Sequence, residues 1–231
     1  PIQAIEKLAG PLRPEQVSQL EAYAGAIQEA SGRLNLVSRG ELSNLGVHFT
    51  DSAALLRFRD VRTGTLADLG SGAGLPGIVV AILRPEVAVT LVESQRRKVV
   101  FLKKVVRELE LRNLEVHHGR VEELSEGRCF DTAAVRALEN PLRMLPHCLG
   151  VVAPGGALVL FKGARWEQEC DEVAGVAARY GFAITRTETI ALPGTHRSTV
   201  FVELSRPASR AGWGSITSRR LGRGRRSTCF T

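Results

Sequence analysis

The sequence has few cysteines and no long apolar run. Its four cysteines, Cys129, Cys148, Cys170 and Cys229, are scattered and form no Cys-x-x-Cys pair, which argues against a zinc site and against a disulfide framework. No stretch approaches the ~20 apolar residues that span a bilayer, and no signal-peptide pattern is present. We therefore expect a reduced, cytoplasmic protein with no membrane span and no bound metal ion.

Acidic residues are absent from residues 206–231, which contain seven arginines. Residues 1–205 hold 24 basic and 24 acidic side chains, so this tail accounts for the whole formal net charge of +7. Affinity of the body for nucleic acid must then come from local clusters of cations rather than from bulk charge. The Gly, Ser and Arg content of the tail predicts a basic, flexible segment.

The most informative stretch is LADLGSGAGLPG, at residues 66–77. It predicts a buried strand that ends in Asp68, a tight turn containing Gly70 and Gly72, and the start of a helix. Glycine lets the backbone approach a ligand closely, and open α/β sheets bind their ligands at this edge. The acid before the glycines favours S-adenosylmethionine (SAM), because a carboxylate there can meet its cationic ammonium group.

Strands and helices alternate after this turn. Further strands are predicted at Val87–Glu93, Leu114–His118, 130–135 and 157–161, followed by an antiparallel pair at 182–190 and 199–204. The pattern predicts an α/β fold, with a seven-stranded, mostly parallel, Rossmann-like sheet in a domain at residues 63–205. Apolar residues at helical spacing predict a helical extension at residues 1–62.

Two features near the second strand point to ligands. Glu93 lies at the strand end, roughly ~20 residues past the glycine turn, where a carboxylate accepts hydrogen bonds from a ribose. The helix predicted at residues 94–110 carries Arg96 and Arg97 on a basic face opposite its apolar stripe. We assign these arginines to RNA binding, with a merely solvated helix face as the alternative.

The loop after the fourth strand, RALENP at residues 136–141, restricts the chemistry. It lacks the Asn/Asp-Pro-Pro-aromatic motif that clamps an exocyclic amine, and it has no cysteine for covalent attack on a pyrimidine. Arg136 stands where a 2′-hydroxyl acceptor would need an aspartate. The remaining acceptor class is an unprotonated ring nitrogen such as guanine N7, which needs no general base, so that catalysis consists mostly of in-line positioning.

Six motifs together resemble the bacterial ribosomal RNA small-subunit methyltransferase G family, also called the glucose-inhibited division protein B family. They are NLVSRGE with HFTDSAALL, LADLGSGAGLPGIVVAILRPE, VTLVESQRRKVVFLKKV, GRVEEL, AVRALE and LFKG, and they extend over residues 35–204. The resemblance implies a class I SAM-dependent methyltransferase that modifies N7 of a guanine in the decoding-region loop of 16S rRNA. Its partner would be the small-subunit rRNA or the 30S particle, and we expect a monomer.

The resemblance also implies site residues. For the cofactor it implies Gly70, Leu75, Glu93, Val121, Glu122 and Arg136, to which the glycine motif adds Asp68 and Gly72. We expect Arg136 and Lys162 to position the reacting groups, without a general base. For the RNA it implies His48, Asp51, Ser52, Lys162 and Arg197, to which the basic helix face adds Arg96 and Arg97.

Purely structural roles are the alternative for several of these residues. Lys162 could lay its aliphatic stem along the surface, and Arg136 could pair with Glu122 or Asp68. His48 and Asp51 could fix the N-terminal helices against the sheet.

Two other functions compete with methyl transfer. Residues 72–77 also match the dinucleotide pattern G-x-G-x-x-G, which would suit an NAD(P)-dependent oxidoreductase, although no Tyr-x-x-x-Lys pair accompanies it. A non-catalytic RNA-binding or ribosome-assembly factor on the same fold is the second alternative. The intact Asp68, Gly70, Gly72 and Glu93 argue against it.

Overall fold

The computed structural model describes residues 2–124, 127–136 and 141–206. The strands are β1 Gly64–Leu69, β2 Val87–Glu93, β3 Leu114–His118, β4 Phe130–Arg136, β5 Val152–Lys162, β6 Ala183–Ala191 and β7 Ser198–Ser205. The helices are α1 Ile2–Ala9, α2 Pro14–Leu34, α3 Leu45–Phe58, α4 Gly77–Leu83, α5 Arg96–Glu108, α6 Val121–Leu124, α7 Pro141–Gly150 and α8 Trp166–Arg179, with a 3₁₀ helix at Arg39–Asn44. Residues 207–231 of the predicted basic tail lie outside the described part of the chain.

The seven strands form one sheet in the order β3-β2-β1-β4-β5-β7-β6. Strands β1 to β5 pair in parallel, whereas β7 pairs antiparallel with both β5 and β6. The predicted fold class, a mostly parallel seven-stranded sheet with a closing antiparallel pair, is therefore confirmed. The strand order reverses at β1, whose neighbours β2 and β4 place their carboxyl ends beside the glycine turn, where such sheets bind ligands.

Helices cover both faces of the sheet, because the central strands are apolar on both sides. Alternate residues of β1 point to opposite faces: Leu66 joins a core formed with α1–α5, and Ala67 joins a core formed with α6–α8. The N-terminal helices belong to the first core through Ile5, Tyr23 and Phe49, which are at most 3% exposed. They thus bury one face of the sheet, and the domain boundary at residue 62 stays a prediction.

Strand β5 begins earlier than the predicted segment 157–161. The difference arises at the Pro154-Gly155-Gly156 turn, where the β4–β5 register shifts between Phe130 and Thr132. Gly155 has a φ of +78°, and a Cβ on Gly156 would lie 2.8 Å from the Asp131 carbonyl oxygen. The two glycines let the backbone bend and still continue as one strand, a form of irregularity that composition does not reveal.

The cysteines differ from their predicted state in one respect. Cys148 is buried and free, and Cys170 is free and half-buried, but Cys129 is disulfide-bonded and half-buried. The expectation of a wholly reduced chain is wrong for Cys129, since spacing along the chain does not show which thiols meet in space. In the described part of the chain, no helix is both long and apolar enough to cross a membrane.

Candidate active site

The glycine turn forms the floor of the site. Gly70, Gly72 and Gly74 have φ values of +74°, +58° and +99°, a region that favours glycine. A Cβ on Gly70 would meet no atom within 4 Å, so this part of the turn faces open space. Gly77 instead packs tightly, because its Cβ would lie 2.2 Å from Leu91 Cδ2. Open glycines above a closely packed one leave the loop backbone accessible to a ligand.

Two cavities open on this turn at the carboxyl edge of the sheet. Cavity A, of about 350 Å³, is lined by Gly70, Val92, Glu93, Ser94, Gly119, Arg120, Val121, Glu122, Arg143 and Met144. Cavity B, of about 300 Å³, is lined by Leu36, Val37, Ser38, Glu41, His48, Gly70, Ser71, Gly72, Ala73, Leu75 and Arg136. Because Gly70 lines both, the two cavities adjoin at the glycine turn, and we refer to them together as the crevice. The predicted cofactor residues other than Asp68 all lie on its walls.

Glu93 is fixed at the wall of cavity A. It is 5% exposed, and its two carboxylate oxygens accept hydrogen bonds from Gly72 N at 3.0 Å and Gln95 N at 2.7 Å. Each oxygen retains a further lone pair, so the carboxylate can still accept from a ligand hydroxyl. Its position thus suits the ribose contact that its sequence position predicts.

Asp68 lies beneath the turn and lines neither cavity. Its Oδ2 accepts a hydrogen bond from Gly77 N at 2.9 Å, whereas its buried Oδ1 has no hydrogen-bond partner. Burial raises the pKa of Asp68 to about 7, against the lowering effects of the Gly77 hydrogen bond and of Arg136. In this geometry the carboxylate positions the glycine loop, and any direct contact with an ammonium group requires the loop to move.

Tyr23 supports the same turn from the opposite side. Its hydroxyl donates to the Ala73 carbonyl at 2.8 Å, and its ring stacks on Phe49 at 5.0 Å between centroids. Burial, together with the charge of Asp68, raises the pKa of Tyr23 well above its usual range, so it remains a neutral donor. In the sequence Tyr23 is one member of the apolar stripe of α2, and nothing marks it as a loop support.

Arg136 ends β4 at the wall of cavity B and is held by α3. Its Nη2 donates to His48 Nδ1 at 2.7 Å and lies 3.2 Å from Asp51 Oδ2. The other Asp51 oxygen accepts a hydrogen bond from the Thr199 hydroxyl. Asp51, which was not considered as a partner from the sequence, forms this ion pair with Arg136. The guanidinium retains 25% side-chain exposure and is therefore accessible from the crevice.

His48 links Arg136 to a second ion pair. Its Nε2 lies 3.1 Å from Glu41 Oε2, and Arg197 binds both Glu41 oxygens at 3.0 and 3.1 Å. Burial and the neighbouring Arg136 lower the pKa of His48, which favours a neutral ring with the proton on Nε2. We call the set Glu41, His48, Asp51, Arg136, Arg197 and Thr199 the Arg136 network. It joins the 3₁₀ helix, α3, β4 and β7. Thr199 lies in none of the quoted motifs, and Glu41, the last residue of NLVSRGE, was assigned no role from the sequence.

The remaining predicted residues occupy different places. Ser52 is fully buried, and its hydroxyl donates to the His48 carbonyl at 2.8 Å. A side chain without exposed surface cannot touch RNA in this conformation, so the assignment of Ser52 to RNA contact is replaced by a structural role. Lys162 lines neither cavity: its side chain is 8% exposed and pairs with Glu169 at 2.7 Å. This pairing also excludes a stem that merely reaches into solvent.

Arg96 and Arg97 are exposed at the start of α5, outside both cavities. The residues described contain no cluster of three or more His, Cys, Asp or Glu side chains that could hold a metal ion. The crevice is lined by the glycine loop, by Glu93 and by Arg136 with its partner His48.

The strand order and the glycine crevice define a class I SAM-dependent methyltransferase fold. The crystal structure of M. jannaschii TYW2 in complex with AdoMet superimposes with a TM-score of 0.56 at 12% identity, over 74% of this chain and 78% of that chain. At that identity the likeness shows the fold alone.

The family follows from sequence. The family model for rRNA small subunit methyltransferase G matches residues 16–191. Ribosomal RNA small subunit methyltransferase G of Lachnoclostridium phytofermentans is 32% identical over 84% of this chain and 83% of its own length. That of Lactobacillus helveticus is 34% identical over 86% and 87%. The chain belongs to the rRNA small subunit methyltransferase G family, as its motifs predicted.

Proposed function

We propose that this protein transfers the methyl group of SAM to N7 of a guanine in the decoding-region loop of small-subunit (16S) rRNA. The observation that carries the proposal is the pair of adjoining cavities, which extends from Glu93 past the glycine turn to Arg136. Cavity A suits an adenosine, and cavity B has a largely apolar lining that includes the guanidinium of Arg136. Membership of the family supplies the reaction class.

The residues of cavity A fit the nucleoside part of the cofactor. Glu93 offers free lone pairs to the ribose hydroxyls, and Val121 with Glu122 borders the space for the base. Gly70 and Gly72 leave the loop backbone open toward the methionine part, with Leu75 beside it. The buried Asp68 carboxyl, whose Oδ1 has no hydrogen-bond partner, lies beneath the loop, and in its ionised form its charge favours an ammonium group above the loop. When bound, SAM supplies an electrophilic methyl group.

Cavity B fits the acceptor base. Guanine presents two acceptors on one edge, N7 and O6. Because N7 is the reacting atom and carries no proton, O6 is the group left for a donor such as the guanidinium of Arg136. His48 and Asp51 hold that guanidinium in place, so little reorganisation is needed during the reaction. We therefore assign Arg136 a positioning role, with Arg197 and Glu41 as the outer part of its support.

The other predicted RNA-side residues keep narrower roles. Asp51 acts through Arg136 and Thr199, since it is 6% exposed. Lys162 can take part in RNA binding only if its Nζ leaves Glu169 and pairs with a phosphate of the RNA instead. Arg197 remains a predicted RNA ligand. Its side chain is half-exposed and is already bound to Glu41.

Methyl-labelled SAM tests the proposal directly. The protein is incubated with 30S particles and, separately, with deproteinised 16S rRNA, each from cells without this modification, and digested nucleosides are analysed by mass. Label in 7-methylguanosine from one nucleotide of the decoding-region loop is expected, with one substrate form preferred. Label in another nucleoside would overturn the acceptor assignment. Binding of NADH in place of SAM would favour the oxidoreductase, and SAM binding without label would favour the assembly factor.

A further inference from the structure

A groove separates α2 from α5 on the outside of the sheet. It encloses about 420 Å³ and has an apolar floor of Ala26, Ala30, Leu34, Val100 and Phe101. Its rim carries Arg33, Arg96, Arg97 and Lys104, together with one acid, Glu29. Val100 is 62% exposed, which is unusual for a β-branched residue in the middle of a helix. We call this the α2–α5 groove.

The groove is positively charged, although residues 1–205 as a whole carry no net charge. Helix α5 holds six cations and one acid in 13 residues, whereas residues 1–205 are balanced overall. Lys104 Nζ lies 4.0 Å from Glu29 Oε2 across the groove and 3.9 Å from Glu108 Oε1 on its own helix, and all three side chains are about half-exposed or more. An exposed pair at that distance contributes little, so the rim retains a strong positive potential.

Both walls of the groove lead into the crevice. Helix α2 ends at Leu34 on the groove floor, and Leu36, two residues later, lines cavity B. Helix α5 begins at Arg96 on the rim, and Ser94, two residues earlier, lines cavity A. A chain bound in the groove would therefore emerge beside the site of methyl transfer.

We propose that the α2–α5 groove binds the unpaired RNA strand that flanks the methylated guanine, with phosphates on the rim cations and a base or ribose against Val100. This inference rests on the proposed function. A charged groove with an apolar floor is the form that binds single strands, and the positive rim selects a polyanion. The same excess of positive charge disfavours a second copy of this chain, whose groove would repel it.

The first test removes rim charge without touching the crevice. The full chain and the variants Arg33→Gln, Lys104→Gln and the double variant are titrated, without SAM, against an RNA fragment containing the target loop. Each lost phosphate contact should reduce the slope of log K against log salt by about 0.7. Glu29→Gln, which removes the one acid of the rim, should raise affinity a few-fold. Arg112→Gln is the matched control. Arg112 is an exposed arginine just before β3, at the amino ends of the parallel strands, and its replacement should leave both the affinity and the salt slope unchanged.

The second test separates the apolar contact from the charges. Val100→Ser should lower affinity a few-fold while leaving the salt slope unchanged, because no ionic contact is lost. Equal SAM affinity in every variant, measured by calorimetry, shows that the crevice remains folded.

Two results would overturn the inference. One is an unchanged salt slope in the Arg33 and Lys104 variants. The other is weaker binding to the 30S particle with unchanged binding to protein-free RNA, which would assign the groove to a protein of the particle. These titrations measure binding and do not depend on methyl transfer. If the variants reduce the salt slope but guanine N7 is not methylated, the groove still binds RNA and only the proposed function is refuted.

Discussion

Replacing Glu93 gives the sharpest test of the crevice. In Glu93→Ala the ribose of the cofactor loses two charge-assisted acceptors, each worth about 1.5–3 kcal/mol. Since Gly72 and Gln95 already occupy part of the carboxylate, we take about 3 kcal/mol for the pair, or a weakening of roughly 150-fold in Kd. Calorimetric titration with S-adenosylhomocysteine, which has the same ribose and no reactive methyl group, measures this loss directly.

A double-substitution cycle shows whether the loss occurs at the ribose. The 2′-deoxyribose analogue should bind wild-type protein more weakly by tenfold or more, on the order of one charged hydrogen bond, and should bind Glu93→Ala almost as well as the parent ligand does. If the loss of affinity from Glu93→Ala and the loss from the deoxyribose ligand multiply in full, the two groups act independently and the contact is refuted. Glu115→Ala, on the neighbouring strand and bound instead to Arg128 and Thr90, is the control and should leave ligand affinity unchanged.

Three further predictions concern the rest of the site. Arg136→Ala should lower kcat about 10²–10³-fold, as loss of a preorganised donor does, with only a small fall in Tm; a large fall in Tm with unchanged kcat would make it structural. The raised pKa of Asp68, about 7, means that the folded chain retains a proton which the unfolded chain releases. The stability contributed is therefore full in acid and is lost as pH rises through about 7, so Asp68→Asn should gain Tm relative to wild type between about pH 5 and pH 8. Gly77→Ala should destabilise the protein by about 1–3 kcal/mol in urea unfolding through overpacking against Leu91, whereas Gly163→Ala, with no atom within 4 Å of its Cβ, should not.

The fold followed from local patterns because each pattern had a direct structural cause. Val87–Glu93 is apolar except for Thr90 and the final Glu93, as suits a strand with both faces largely buried, and the structure has a strand with those bounds. The glycine turn was predictable for the same reason, since its positive φ values leave few alternatives to glycine. Glu93 followed from its distance along the chain to that turn.

The parts that escaped prediction depend on contacts between distant segments. Tyr23 reaches Ala73 over 50 positions, and Glu41 meets Arg197 over 156; no spacing rule connects such pairs. Ser52 shows the converse case, because a polar residue one helical turn after His48 has a fully buried side chain that bonds back to the His48 carbonyl. The residue types in the loop after β4 indicated which class of acceptor the site suits. Which side chains reach the acceptor cavity depends on tertiary packing, which the sequence pattern does not show.

The long separation between Glu41 and Arg197 has a consequence for synthesis. At about 5–20 residues per second, Arg197 is added roughly 8–30 s after Glu41. The glycine turn and Glu93 leave the ribosome well before the last two strands, so a nascent chain has the groups for the cofactor before it has those that hold Arg136. Assembly of the acceptor side can therefore be completed only after Arg197 and Thr199 have been added.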